Sequence, residues 1–232
     1  MTKKSVCIII PAYNEEKSIS SVISSIRKIS RRYDVIVIND GSDDKTKEVT
    51  EQTGTGILNL SFNLGIGGAV QTGLKYALAK DYDIAVQVDA DGQHDPRHIP
   101  QLIADLDSGT DMVIGSRFIN KTNYKASFLR RLGITIFSNL ILFTCGKKIF
   151  DSTSGYRVFN KKTIAFLVRN YPIDFPEPES IVKLLRNGFV IKETPVEMNR
   201  RATGESSVTP LKALYFMASI SVAILIESMK KY

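Results

Sequence analysis

Five short apolar runs in the first half of the chain, each set off by an amphipathic stretch, most constrain what it can fold into. Val6–Ile10 precedes 17–30, Val35–Asn39 precedes 43–52, Ile57–Leu60 precedes 67–79, Ile84–Val88 precedes 97–107, and Met112–Ile114 closes the series. Runs this short read as strands, and their alternation with helix-periodic segments builds βα units around a mainly parallel central sheet, an α/β fold. Ligands of such sheets bind beyond the carboxyl ends of the strands. Here those ends carry Ala12-Tyr13-Asn14-Glu15, Asp40-Gly41-Ser42-Asp43-Asp44, Asn63-Leu64-Gly65 and Asp89-Ala90-Asp91-Gly92. Asp95 before Pro96 adds a capping residue ahead of a proline at the first helical position.

The second half is less regular. Leu132–Cys145 reads as an apolar helix, Asp151–Asn160 as a loop turning into a strand, Glu179–Arg186 as a short helix and Phe189–Met198 as a strand. Charge divides the chain in the same place. Residues 1–110 hold 12 Lys/Arg against 15 Asp/Glu, a balance of −3, and residues 111–232 hold 19 against 9, a balance of +10. A basic half of this kind points to phosphates, of a nucleic acid or of an anionic membrane with a phosphorylated substrate. No nucleic-acid recognition module and no aromatic-basic interleaving occur there, so nucleic acid is not expected as a partner.

With 232 residues the chain suits one substantial domain, 1–208, followed by a C-terminal segment, 209–232. Within that segment 14 uncharged residues lie between Lys212 and Glu227, fewer than the roughly 20 needed to cross a bilayer. They are apolar nearly all round a helix, so the segment is expected to lie on a membrane surface, in a partner or in an oligomer contact, or to pack on its own domain. Cys7 and Cys145 sit in apolar runs and are expected to be free, buried thiols. The five-residue apolar stretch Val6–Ile10 is too short for a signal-peptide core, and the chain is expected to stay in the cytoplasm.

Asp89 and Asp91 end an apolar strand, and residues two apart on an extended segment point the same way. Two converging carboxylates suit Mg²⁺ or Mn²⁺, with water and phosphate oxygens filling the remaining positions. Gln93 offers a further oxygen, and His94 is left open between a ligand, a residue behind the ligands and a solvent-facing side chain. Asp40 ends the second strand, where a carboxylate can accept hydrogen bonds from a nucleobase or ribose, while Asp43 or Asp44 can cap the next helix. Asn63-Leu64-Gly65-Ile66-Gly67-Gly68 lacks the G-x-G-x-x-G spacing and does not follow the first strand, which rules out a dinucleotide loop. Its glycines still allow a ligand close to the backbone. The basic half supplies Arg117, Arg130, Arg131, Arg157, Arg200 and Arg201, expected on loops around the acidic site, where arginine grips phosphate bidentately. Asp151, Glu177 and Glu179 are candidate acids or bases, and equally candidate caps.

In this order PAYNEE, DGSDD, NLGIGGA, DADGQHDP, GSR, DSTSGYRVF and RRATGESS resemble family 2 glycosyltransferases, over about residues 5–208. The likeness is to the branch of dolichyl-phosphate mannosyltransferases and bacterial polyprenyl-phosphate glycosyltransferases. That resemblance implies the GT-A type nucleotide-sugar-binding fold. It also implies that Pro11, Ala12, Tyr13, Glu15 and Asp40 line the nucleotide, with Asn63 and Gly65 beside it, and that Asp89, Asp91 and Gln93 hold metal and diphosphate. Arg117 and Arg131 would grip a lipid phosphate, and Arg201 and Ser206 would lie on a segment closing over the donor. Many bacterial relatives continue into two or more transmembrane helices, whereas this chain has one short apolar helix. Attachment is therefore expected to be peripheral, at the cytoplasmic face of the plasma membrane, aided by a small membrane protein or by homo-oligomerisation. FPEPES is similar to short Gram-positive members acting in cell-wall polysaccharide modification.

The expected reaction is metal-dependent, inverting transfer of a hexose or N-acetylhexosamine, with UDP-N-acetylglucosamine or UDP-glucose as the leading donors, to undecaprenyl phosphate. A phosphate monoester, with a second pKa of about 6, is largely dianionic at neutral pH and needs no strong base, so Asp151 would orient rather than deprotonate. With a saccharide hydroxyl as acceptor, Asp151 or Glu179 would have to act as base. A nucleotide-sugar-binding module without catalysis is the third reading, and the Asp89/Asp91 pair argues against it.

Overall fold

The computed structural model describes residues 4–107, 109–119, 128–199 and 210–230. The first half alternates as the sequence pattern requires. The strands β1 (Val6–Ala12), β2 (Asp34–Asn39), β3 (Gly56–Asn59), β4 (Ile84–Gln87) and β5 (Met112–Ser116) are separated in turn by α1 (Ile19–Ile29), α2 (Thr46–Gln52), α3 (Gly65–Ala79) and α4 (Ile99–Asp105). Then come α5 (Phe128–Cys145), β6 (Arg157–Asn160), α6 (Lys161–Asn170), α7 (Pro176–Arg186), β7 (Ile191–Pro195) and α8 (Pro210–Met229).

These strands form one seven-stranded sheet in the order β3-β2-β1-β4-β6-β5-β7. Only β6 runs antiparallel to its neighbours, β4 and β5; the other pairings are parallel. Side chains alternate across the sheet, which gives the domain its layers. Ile8 and Ile10 pack with Ile19, Val22, Ile23 and Ile26 of α1 and with Ile99 and Leu102 of α4. Cys7 and Ile9 point the other way, into a core shared with α3, α5, α6, α7 and Ile224 of α8. Ile8, Ile9 and Ile10 are each 0 % exposed, and burial of a side chain this size contributes roughly 1.5–3 kcal/mol. Both cysteines are free; Cys7 is buried and Cys145 half-buried. Burial pushes the Cys7 thiol up to about 12, so it remains protonated and unreactive.

Crossovers from β1 lead to β2 and β3 on one side, and the chain then returns to place β4 on the other side of β1. Beyond the carboxyl ends of β1 and β4 the two sets of loops diverge, and a crevice opens at this switch point. Packing beneath it is close at the α3–β1 contact. A Cβ added to Gly73 of α3 would stand 2.2 Å from Ile9 Cγ2 of β1. Gly73→Ala should therefore destabilise the fold by about 1–3 kcal/mol, despite alanine's higher helix propensity. Urea unfolding checks this, and an unchanged or raised midpoint would contradict the packing.

Candidate active site

A cleft of about 390 Å³ occupies the switch point. Pro11, Ala12, Tyr13 and Glu15 line it from the end of β1, Asp40 from the end of β2, Asn63 and Gly65 from the start of α3, and Asp89, Ala90 and Asp91 from the turn after β4. The residues assigned to a nucleotide by sequence that fall among the described residues thus share one cavity. A larger, open depression of about 1140 Å³ lies at the opposite end of the sheet, around Arg27, Asp34 and Tyr82. It lacks the acidic strand-end residues, so size is not what marks the chemistry here.

Hydrogen bonds lace the cleft loops together. Asn14, at φ 54, accepts from Asp43 N (2.9 Å) through its side chain and donates its N–H to Ser42 Oγ (3.0 Å). Glu15 N donates to Thr46 Oγ1 (2.8 Å), and Asp44 Oδ1 accepts from Thr46 N (2.9 Å), bracing the first turn of α2. Asp40 is buried and accepts from Leu64 N (2.8 Å), so it both faces the cleft and fixes the loop before α3. Burial raises its pKa, and the hydrogen bonds from Leu64 and Gly65 partly offset that rise. Gly41, at φ 68, passes so close that a Cβ there would lie 2.7 Å from the Phe62 carbonyl carbon.

Asp89 and Asp91 meet the cleft differently from the sequence expectation. β4 ends at Gln87, so both carboxylates lie beyond the strand, Asp89 just past its end and Asp91 on the turn that Gly92, at φ 77, closes. Asp91 Oδ1 accepts from Gln93 N at 3.0 Å. The Asp89 side chain is 38 % exposed and reachable from the cleft. Desolvation, and next the charge of Asp91, push its pKa up to about 6. His94 is neither solvent-facing nor part of the cleft lining: it is buried, stacked on Tyr156 at 4.6 Å, and lies behind Asp89. Its Nδ1 accepts from Asp89 N (3.0 Å), which leaves the ring proton on Nε2, 3.5 Å from Asp89 Oδ2. Burial lowers its pKa to about 3, so it supports the turn as a neutral ring. The Gln93 side chain is not part of the cleft lining; its carbonyl accepts from Asn199 N at 2.9 Å.

Two hard oxygen donors facing one cleft, one of them raised to about 6, fit a divalent cation, whose charge would relieve that repulsion. Among the described residues no group of three or more His, Cys, Asp or Glu converges into a closed cage. A pair of carboxylates suits Mg²⁺ or Mn²⁺, which leave further positions to water and phosphate oxygens. Close behind lies Gly155, where a Cβ would come within 3.1 Å of Asp89 Oδ1 and of Gln87 Nε2. The buried Gln87 amide lies beside Asp89, and its hydrogen bonding to that carboxylate partly offsets the rise in the Asp89 pKa. Sequence reasoning passed over both Gln87 and Gly155; a glutamine within the apolar run Ile84–Val88 was the available signal.

Arg117 and Asp151 form a bidentate pair, with Arg117 Nε to Asp151 Oδ2 and Nη2 to Oδ1 both at 2.7 Å, and Arg117 N also donates to Oδ2 at 2.9 Å. Asp151 is 0 % exposed. Glu193 of β7, not singled out by sequence, accepts from the N–H groups of Phe150 and Asp151, each at 2.8 Å. Arg131 is exposed on α5 and lines a separate groove of about 200 Å³ with Phe118, Lys148 and Phe150. Arg157 corrects an expectation: it is a fully buried β6 residue, not a loop arginine free for phosphate. Its guanidinium donates to Ser154 O, Ser180 Oγ and Glu177 O at 2.7–2.8 Å, because a buried cation must spend its donors on nearby acceptors. Glu179 accepts from Phe175 N (3.1 Å) at the start of α7, the capping option. Arg200, Arg201 and Ser206 lie outside the described residues.

The family described as "Glycosyl transferase family 2" matches residues 7–166. Relatives include the UDP-N-acetylglucosamine--dolichyl-phosphate N-acetylglucosaminyltransferase of Methanococcus voltae, 33% identical over 85% of this chain and 86% of its own length. The polyprenol monophosphomannose synthase of Mycolicibacterium smegmatis is 26% identical over 87% of this chain and 80% of its own. Among solved structures, glucosyl-3-phosphoglycerate synthase from Mycobacterium tuberculosis, in complex with Mn²⁺, UDP and glucosyl-3-phosphoglycerate, superposes with a TM-score of 0.71 at 20% identity. The match covers 97% of this chain and 80% of that one, a likeness of fold.

Asp89→Ala is expected to abolish Mn²⁺ binding, and Gly155→Ala, by pressing on the carboxylate, to weaken it about tenfold or more. Gly109→Ala, whose added methyl would meet only Asp107 Oδ1 at 3.7 Å, serves as control. A Mn²⁺ titration followed by electron spin resonance reads all three, and equal affinities for wild type and Gly155→Ala would refute the contact.

Proposed function

The chain belongs to glycosyl transferase family 2, and from that premise we propose that it transfers a hexose or N-acetylhexosamine from a nucleotide-diphosphate sugar to a polyprenyl phosphate, with inversion. The observation that carries this reading is the cleft at the switch point, where a wall suited to a nucleoside meets the Asp89/Asp91 pair. The names of the relatives from Methanococcus voltae and Mycolicibacterium smegmatis support a polyprenol-type acceptor. UDP-N-acetylglucosamine and UDP-glucose are the favoured donors, and undecaprenyl phosphate the favoured acceptor.

Tyr13, half exposed at the mouth, and Asp40 at the floor would hold the nucleoside, one by ring contact and the other by accepting hydrogen bonds. A Mg²⁺ or Mn²⁺ ion held by Asp89 and Asp91 would supply stabilisation of the negative charge on the leaving diphosphate. Arg117, oriented by Asp151, and Arg131, on its own groove, would position the acceptor phosphate oxygen for in-line attack. The attacking phosphate is already largely dianionic, so buried Asp151 has no proton to take. Arg201 and Ser206 keep their proposed place over the donor. The work would be done at the cytoplasmic face of the plasma membrane, where a lipid phosphate meets soluble nucleotide sugars, and would serve cell-envelope polysaccharide modification.

A panel of labelled UDP- and GDP-sugars with undecaprenyl phosphate and Mn²⁺ tests the proposal. Wild type should form a lipid-linked sugar with one donor, and Asp89→Ala should lose it by about 10³-fold or more, the loss of electrostatic stabilisation of the leaving group. Transfer to a saccharide but never to the lipid would reverse the choice of acceptor.

A further inference from the structure

α8 is apolar on two opposite faces, and among the described residues only one of them is packed against the fold. Met217, Ile220, Ile224 and Glu227, spaced three or four apart, turn inward onto α5 and α7. Glu227, 1 % exposed, pairs there with Lys183 of α7 at 3.4 Å. Tyr215, Val222, Ile226 and Met229 lie on the opposite side and are 69, 53, 49 and 73 % exposed. Neighbouring α5 repeats the arrangement: Ile134, Phe137 and Ile141 are buried, whereas Leu132, Ile136 and Phe143 stand out, Phe143 at 87 %. Two mutually packed helices thus each present an outward stripe of large apolar side chains, more than scattered surface hydrophobes account for.

We propose that the outward faces of α5 and α8 together form a surface that seats the protein on an anionic lipid bilayer, with the Arg131 groove opening at headgroup depth. This rests on the lipid-phosphate acceptor proposed above and adds which face meets the bilayer. Charge selects a bilayer over a second copy of the chain. α5 contains no Asp or Glu, and the single acidic residue of α8, Glu227, is buried. Exposed Lys147 and Lys148 follow α5 directly, with Lys148 Nζ 5.0 Å from the centre of the Phe150 ring. A second copy of this face brings no carboxylate to those lysines, whereas anionic headgroups satisfy them and the hydrocarbon boundary takes the apolar stripes. Continuity with the acceptor groove points the same way: Arg131, Thr135 and Asn139 of α5 line it, one step around the helix from Leu132 and Ile136. Among the described residues no helix is long and apolar enough to cross a membrane, so the seat is a surface one.

The test is co-sedimentation of the full chain with vesicles of phosphatidylcholine and phosphatidylglycerol (7:3) or phosphatidylcholine alone, at low and high salt, alongside Phe143→Glu/Met229→Glu. Both replaced residues are exposed, so the variant should keep the wild-type melting temperature and Mn²⁺ affinity. Wild type should bind the anionic vesicles more tightly and release in salt, and the variant should bind about tenfold or more weakly. Transfer to a short-chain, water-soluble polyprenyl phosphate is read in parallel. Wild type that sediments with the vesicles but transfers to no polyprenyl phosphate would sink the acceptor and leave the surface standing. Transfer without sedimentation, or a wild-type dimer that the variant turns into a monomer at unchanged vesicle binding, would overturn the bilayer seat.

Discussion

Parallel strands cannot be joined by tight turns, and everything at the working end of this molecule follows from that constraint. Each return trip needs a helix, the helices must cover both faces of the sheet, and the winding therefore reverses beside β1. At the reversal the β1 and β4 loops part, and polar groups can face a cavity without being buried unpaired. The dense core under it, with Gly73 pressed against Ile9, keeps those strand ends in register. Acidic residues from β2 and β4, more than forty positions apart in sequence, meet there only because both strands flank β1.

The second half of the chain obeys a different rule. Several of its charges are buried, and a buried charge is tolerated only when its hydrogen bonds are filled. Asp151 answers Arg117 with both oxygens, and Glu193 answers the two N–H groups that lead into Asp151. Arg157 performs the same service for the loops around Ser152, Ser154 and Glu177. These pairs fix the geometry of the segment 146–156, which has no helix or strand of its own. They also explain how a basic half of +10 can leave few arginines for a ligand: part of that charge is structural.

α8 joins the two themes. Its inner face completes the core through Ile224, and its outer face repeats the apolar character with large side chains that stand exposed. A helix that needed only to stabilise the domain would have a polar outer face. The Glu227–Lys183 pair lies on the inner face, so the one acidic residue of α8 is turned towards α7.

Periodicity alone determined the alternating elements of the first half, the parallel sheet and the placement of Asp40, Asp89 and Asp91 beyond the carboxyl ends of strands, because those features depend on local spacing and on the general behaviour of βα units. The resemblance of the ordered motifs supplied the names of the cleft residues, and tertiary structure brought those within the described residues together around one cavity. What local spacing could not decide was orientation and partnership across distant segments. It placed Arg157 among the loop arginines, and the sheet buried it; it left His94 open, and Tyr156, 62 residues away, stacked upon it. Gln87, Gly155 and Glu193 carry no motif and acquire meaning only from what folds against them. Only the packed structure could assign one apolar face of α8 to the core and leave the other outside, because a sequence records the character of a face and not what covers it.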